Sequence, residues 1–412
     1  MIHCRNAWTR HRRRAARTPP HMAKIRIETI NPVVLSPPNR GRRSITGIPI
    51  QWFRFGTGIV LLAFVALLGG CAKLGPAMMK AGRGAYNITI QATNDEQLLL
   101  NLVRLRYRDT PMFLEVSSVN TRFTLNSSLS ASGSFPEGSD TYGIGGQLGY
   151  SDQPTVTYTP LQGENFVQRL LAPVDLDTVL LMYHSGWSIE RVLRLAVQRL
   201  NGIENAPSAS GPTPARAPRY RDFLRAAKLL RTLQRSDALR LGTVQEGDES
   251  FVAVQIAPHS LDHPEVQELM GILGLEPGRA FYEMRMAVNG GTGGKFIAVN
   301  TRSLLGTMFF LSQSVMVPKT DEELRRVTTT LDDNGRPFDW RRVTGGLFVV
   351  HSQKQQPANA AVSVYYRGHW FYIDDSDLDS KSTFSLLSQL FALQAGKTKS
   401  VAPLLTLPVG GG

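Results

Sequence analysis

From Arg122 to Phe135 apolar and polar positions alternate one for one. Phe123, Leu125, Leu129, Ala131 and Phe135 fall on one face, and Arg122, Thr124, Asn126, Ser128, Ser130, Ser132 and Ser134 on the other. A period of two is the mark of a β-strand, whose successive side chains stand on opposite faces. Pro136-Glu137-Gly138-Ser139-Asp140 supplies a turn. Tyr142, Ile144, Leu148 and Tyr150 then alternate with Gly143, Gly145, Gln147 and Gly149, and Val156 and Tyr158 resume the pattern. A long amphipathic hairpin is predicted. Two structures share this pattern. A soluble sheet with one wet face is the commoner. A membrane-inserting hairpin alternates in the same way over about 10 residues with aromatics near its ends, and because one hairpin cannot close a barrel it requires a ring of subunits, here through residues 122–158.

On either side of the hairpin the period becomes helical. Leu98, Leu102 and Leu105 share one face of a helix over 94–107, with Asn94 or Asp95 as the cap and Pro111 as the stop. Three short helices are predicted after Pro160, the first around Phe166, Leu170 and Leu171, the second over 176–183 and the third over 189–200. All three are expected to pack on the hairpin's apolar face. The Pro/Ser/Ala-rich segment 204–218 reads as a linker and domain boundary.

The second half opens with a helix bearing Arg221, Arg225, Lys228 and Arg235 on one side and Phe223, Ala227, Leu230 and Leu233 on another. A solvated face on a core helix has that pattern, as does a docking face for anionic lipid or wall polymer. Strands at 239–244 and 251–256 follow, then a helix at 264–273 and a hairpin of 282–288 with 296–300. A helix at 302–314, strands at 347–351, 361–366 and 370–373 and a helix at 383–393 complete the pattern. The order is α+β rather than a regular β-α-β alternation. It divides into a helix/hairpin/helix domain (94–203), the linker, a mixed domain (219–396) and a flexible tail (397–412).

The formal charge of +13 changes the picture only at the front of the chain. Residues 1–70 hold twelve Lys or Arg against a single acid, Glu28, which leaves 34 bases and 32 acids for the rest. A body so near neutrality offers no broad field for polyphosphate, so a nucleic-acid partner is not expected. The cysteines are Cys4 and Cys71, and none follows. An internal disulfide or a cysteine metal site in the body is therefore excluded.

Residues 56–70 are uncharged and largely apolar, preceded by Arg42, Arg43 and Arg54 and followed by Cys71 and Lys73. This is the charged-then-apolar order of an export signal. A stretch of fifteen residues is short for a membrane span of about 20, the competing reading. Leu68-Gly69-Gly70-Cys71 resembles the lipobox of bacterial lipoproteins. The resemblance implies cleavage between Gly70 and Cys71, diacylglycerol on the cysteine sulfur and a tether over 71–93. With each buried CH₂ worth ~0.8 kcal/mol, two or three chains anchor stably. Ala72 stands where an Asp would mark inner-membrane retention, so the resemblance implies the outer membrane. A leader of 70 residues exceeds the usual length of about 15–30, and an early start annotation covering residues 1–50 would account for it.

Asn289-Gly290-Gly291-Thr292-Gly293-Gly294-Lys295-Phe296 lacks phosphate-loop spacing and reads as a hairpin turn. His259 and His263 fall in a loop without a third ligand. Asp375, Asp377 and Asp379 have calcium-loop spacing, but Ser380 and Leu386 stand where Gly and Glu are needed, so helix capping is expected. No nucleophile elbow is present. The stretches 97–116, 158–174, 301–318 and 366–396 are similar to uncharacterised lipoproteins of Gram-negative bacteria, a resemblance that brings no activity with it. A lipid-anchored outer-membrane lipoprotein with a binding or assembly role in the envelope is expected. Its partners are the membrane, envelope proteins or further copies of itself, and no cofactor or metal is implied. A pore subunit and a periplasmic hydrolase stand as the alternatives.

Overall fold

The computed structural model describes residues 84, 86–134, 141–212, 214–287 and 294–395. Gly70 and Cys71, most of the tether, the turn at 136–140, Asn289–Gly293 and the tail lie outside the described residues. The fold is α+β. The chain divides into a small unit that includes Thr121–Gln153 and a large one comprising Phe53–Asn120 and Pro154–Gly412.

Helix α1 (residues 86–106) belongs to the large unit. Asn94 and Asp95 are helical residues inside it rather than caps, because the helix begins at least two turns earlier. Leu98, Leu102 and Leu105 are buried as the periodicity requires. The helix ends short of Pro111. Arg108 enters the left-handed region (φ 61°), and the Asp109 N–H returns to the Arg104 carbonyl at 2.9 Å, the closure of a Schellman-type end.

Strands β1 (Leu114–Ser134) and β2 (Thr141–Pro160) form a sheet of two. Helices α2 (Glu164–Leu171), α3 (Leu176–His184) and α4 (Ile189–Ala196) follow. The third predicted helix is cut short, because the chain turns at Val197 into β3 (Val197–Leu200) and then β4 (Ile203–Glu204). Ile189, Leu193, Val197 and Leu200 are all buried, so the spacing read as one helical stripe is shared by a helix and a strand.

Arg302 explains the switch. Its Nη1 donates to the carbonyls of Arg194, Leu195 and Val197 at 3.3, 3.2 and 2.6 Å, and its Nη2 to that of Asn205. Asn205 Nδ2 donates to the Arg194 and Val197 carbonyls at 2.9 and 2.7 Å. The acceptors that a further helical turn would need are taken by side chains.

Helix α5 (Arg221–Arg235), the hairpin β5 (Leu239–Glu246) with β6 (Glu249–Ile256), α6 (Pro264–Leu273), β7 (Phe281–Met286) and β8 (Phe296–Thr301) complete the central sheet. Its order is β4-β3-β8-β7-β6-β5. The expected hairpin of β7 and β8 is not formed, since the two strands run parallel, with Met284 beside Ile297. The returning chain is pinned level with the approach to β7. Glu276 donates its N–H to the Gly294 carbonyl at 2.8 Å, and at Gly294 (φ +64°) a Cβ would stand 3.1 Å from Glu276 Cγ. Leu200, Leu241, Val254, Met284 and Ile297 of this sheet meet Ile189, Leu193, Leu230, Leu269 and Leu273 of α4, α5 and α6.

The domain boundary expected at 204–218 is not one. β3 from before it pairs with β8 from after it. The segment itself is woven into the body, with Ala206 and Ala209 buried and Thr330 Oγ1 donating to the Pro214 carbonyl at 2.6 Å. The three short helices find partners in α5, the central sheet and α7 (Leu304–Ser312), a helix buried on nearly every side, while the hairpin's apolar face, their expected partner, lies outside what is described. Short helices α8 (Lys319–Glu323) and α9 (Arg341–Thr344) lead to β9 (His351–Gln353), β10 (Ala360–Tyr366) and β11 (His369–Asp374), a sheet of order β10-β11-β9. Helix α10 (Leu378–Ala395) closes the described chain. Asp377 caps it, its Oδ1 accepting from the Ser380 N–H at 3.0 Å, so this acid serves helix capping. Among the described residues no helix is long and apolar enough to cross a membrane.

Candidate functional site

The base of the long hairpin is built into α1 by two amide side chains. Gln97 Nε2 donates to the Leu114 carbonyl at 3.0 Å, and its Oε1 accepts from the Leu114 N–H at 2.7 Å. One helical turn later Asn101 does the same for Met112, at 2.7 and 3.0 Å. Four residues of helix rise about 6.0 Å, and two residues of strand advance about 6.6 Å. Amides at i and i+4 on a helix therefore meet backbone groups at j+2 and j of an extended segment running antiparallel to it, and together they act as one edge of a ladder.

The other strand is closed against the first. The Leu161 N–H donates to the Phe113 carbonyl at 2.9 Å, and Ser117 Oγ donates to the Thr157 carbonyl at 3.1 Å. Phe113 packs its ring 5.8 Å from Phe166 and 5.0 Å from Phe391 of α10. A groove of about 340 Å³ runs beside this base, lined by Ile90, Leu98, Leu114, Leu161, Phe391 and neighbouring residues.

Backbone direction follows from that closure. N–H groups alternate sides along a strand, so with Leu161 facing β1 the residues 155, 157 and 159 face it too. Positions 154, 156, 158 and 160 turn to the outer edge of β2. Two of those four are proline and have no N–H to offer. The outer edge is thus blunted from Pro154 to Pro160, and the division between the two units falls at that same proline.

The far end of α1 is held by a polar network. The Tyr107 hydroxyl donates to Asp321 Oδ2 at 2.7 Å, and Arg326 Nη1 donates to Oδ1 at 2.8 Å. Burial pushes the Asp321 carboxyl up, but these two hydrogen bonds outweigh it and hold the group below its ordinary value. Tyr107 is pushed up by burial and by that bond. Asp109 accepts from the Tyr366 hydroxyl at 2.5 Å and from Arg367 at 2.9 Å, and is likewise held low against the effect of burial.

Of the residues singled out from sequence, Gly70 and Cys71 lie outside the described residues. Phe123, Leu125, Leu129, Tyr142, Ile144, Leu148 and Tyr150 sit in the backbone of β1 and β2, and their side chains also lie outside what is described. His259 lies in a 3-10 turn, and His263 precedes α6 as its N-cap residue. Among the described residues no three His, Cys, Asp or Glu are grouped to hold a metal ion. A polar cleft of about 810 Å³ sets Glu204, Asp222, Asp332 and Asp333 against Arg219, Arg221, Arg336 and Arg342, a balance of sign that selects no charged ligand.

Sequence reasoning missed Gln97 and Asn101. Their signal was two amides four apart, flanked by the apolar stripe of Leu98, Leu102 and Leu105. No protein-family model, curated protein or solved structure matches this chain.

Proposed function

We propose that this protein is a lipoprotein of the outer membrane, anchored through acylated Cys71, with an assembly role in which the long hairpin is the working element. The observation that carries the reading is the sheet of β1 and β2, of 21 and 20 residues, which takes no third strand among the described residues. An isolated two-stranded hairpin is marginally stable in water, and strands more than three times the usual length of about 5–6 residues expose two long rows of unpaired N–H and C=O groups. A partner that satisfies those edges removes the cost. The amide mount on α1 supports the same reading, because it fixes the start of β1 to a helix whose other end leads toward the proposed anchor.

Metabolic labelling with a clickable fatty acid tests the anchor. Label is expected in the wild type and not in Cys71→Ala, with the labelled protein in the outer-membrane fraction. Equal labelling of both, or of neither, overturns the lipoprotein reading.

A further inference from the structure

We infer that the partner of the hairpin is a second copy of this chain: the β1 edge of one hairpin pairs with the β2 edge of the next, over 121–134 and 141–153, around a ring that closes as a membrane-spanning β-barrel. This rests on the outer-membrane anchor proposed above and names the partner of the same element.

Four features converge. The first is the position of proline. The outer edge of β2 is blunted over 154–160, whereas 121–134 and 141–153 contain no proline, so a continuous ladder can form on both edges up to the boundary of the small unit and no further. The second is length. Thirteen or fourteen residues exceed the roughly 9–11 that a tilted strand needs to cross the hydrocarbon core of a membrane.

The third is the distribution of charge. No Asp, Glu, Lys or Arg occurs in 123–136 or 141–151, and charge returns at Arg122 and Asp152 at one end and Glu137 and Asp140 at the turn. Phe123 and Tyr150 stand near the first end, Phe135 and Tyr142 near the second, the arrangement of two aromatic girdles. A soluble hairpin with a solvated face has no reason to exclude charge from its polar positions. Here those positions are Thr, Ser, Asn, Gln and Gly, which suit the interior wall of a barrel.

The fourth is symmetry. The two edges of a hairpin belong to different strands, so pairing is head to tail, and a head-to-tail contact closes into a ring when its rotation permits. Only closure satisfies every backbone group within lipid.

Two differently tagged full-length copies are co-expressed, one carrying Ser128→Cys in β1, the other Gly143→Cys, Gly145→Cys, Gln147→Cys or Gly149→Cys in β2. Acylated Cys71 leaves these as the free thiols. A disulfide joining the tags is expected for one register and its neighbours, in a detergent-stable particle of several copies. Leu129→Asp is expected to abolish the particle while the fatty-acid label and the melting temperature of the body stay unchanged. A labelled monomer with no cross-tag disulfide at any position, or a particle made with a different protein, overturns the ring and leaves the lipoprotein standing. A chain that takes no label overturns the anchor, whatever its particle size.

Discussion

Arg302 brings a full charge into the core, and among the described residues no carboxylate pairs with it. Its guanidinium donates to the carbonyls of Arg194, Leu195, Val197 and Asn205 and to Ser210 Oγ, and lies 4.0 Å over the Phe310 ring. Burial lowers its pKa to about 9, so it stays protonated at neutral pH. Replacing it with Leu removes the charge and strands the carbonyls that end α4. A loss of about 3 kcal/mol or more is expected, read as a lower denaturant midpoint. Arg302→Lys recovers little of that, because an ammonium lacks the planar fork that reaches several acceptors at once. Asp321 gives a pH dependence. Its folded-state carboxyl is held below the ordinary value, so its contribution is fully present above the unfolded pKa of about 3.9 and is lost as pH falls through the lower folded value. The melting temperature of the wild type is expected to fall more steeply below about pH 4 than that of Asp321→Asn. Neither role was legible in sequence, since Arg302 and Asp321 meet partners more than a hundred residues away, among them Arg194 and Tyr107.

At the scale of the element, periodicity found the helices and strands but not always their ends or directions. The stripe Ile189, Leu193, Val197, Leu200 satisfied a helix, and only the capture of carbonyls by Arg302 and Asn205 shows why the last four residues are a strand. The glycine-rich run before β8 has hairpin composition, yet the strands it joins are parallel, because direction is set by where the chain returns and that lies in the contact of Gly294 with Glu276. Gly294→Ala meets both a left-handed φ and that contact. A destabilisation of about 1–2 kcal/mol is expected in chemical denaturation, against near neutrality for substitutions at exposed β5 positions such as Thr243. The amide mount offers a sharper test. Asn101→Asp keeps an acceptor for the Met112 N–H but loses the donor to its carbonyl, and Asn101→Leu loses both. Hydrogen exchange at the Met112 amide is expected to quicken far more in Asn101→Leu.

In the whole molecule, the hydrophobic pattern located the long hairpin from the alternation of Phe123 through Tyr150, while the unity of the large unit was invisible. Segment 204–218 has the composition of a linker, and what binds it, Thr330 to Pro214 and Ala217 to Leu331, lies in the distant chain. Residues 94–203 expressed alone are therefore expected not to fold, because β3 loses β8 and α4 loses α5; circular dichroism of the fragment reads this directly.

The hydrogen bond from Leu161 to Phe113 gives the long hairpin one more property. Its two roots are joined at 2.9 Å, so the whole run from Leu114 to Pro160 begins and ends at a single doorway. Such an insertion is portable. A short turn in its place would leave the gap closed, with Asn101 still holding Met112 and the amide of Gln97 facing the first residue of the graft. In evolution or in the laboratory, hairpins of other lengths can be exchanged on one unchanged scaffold.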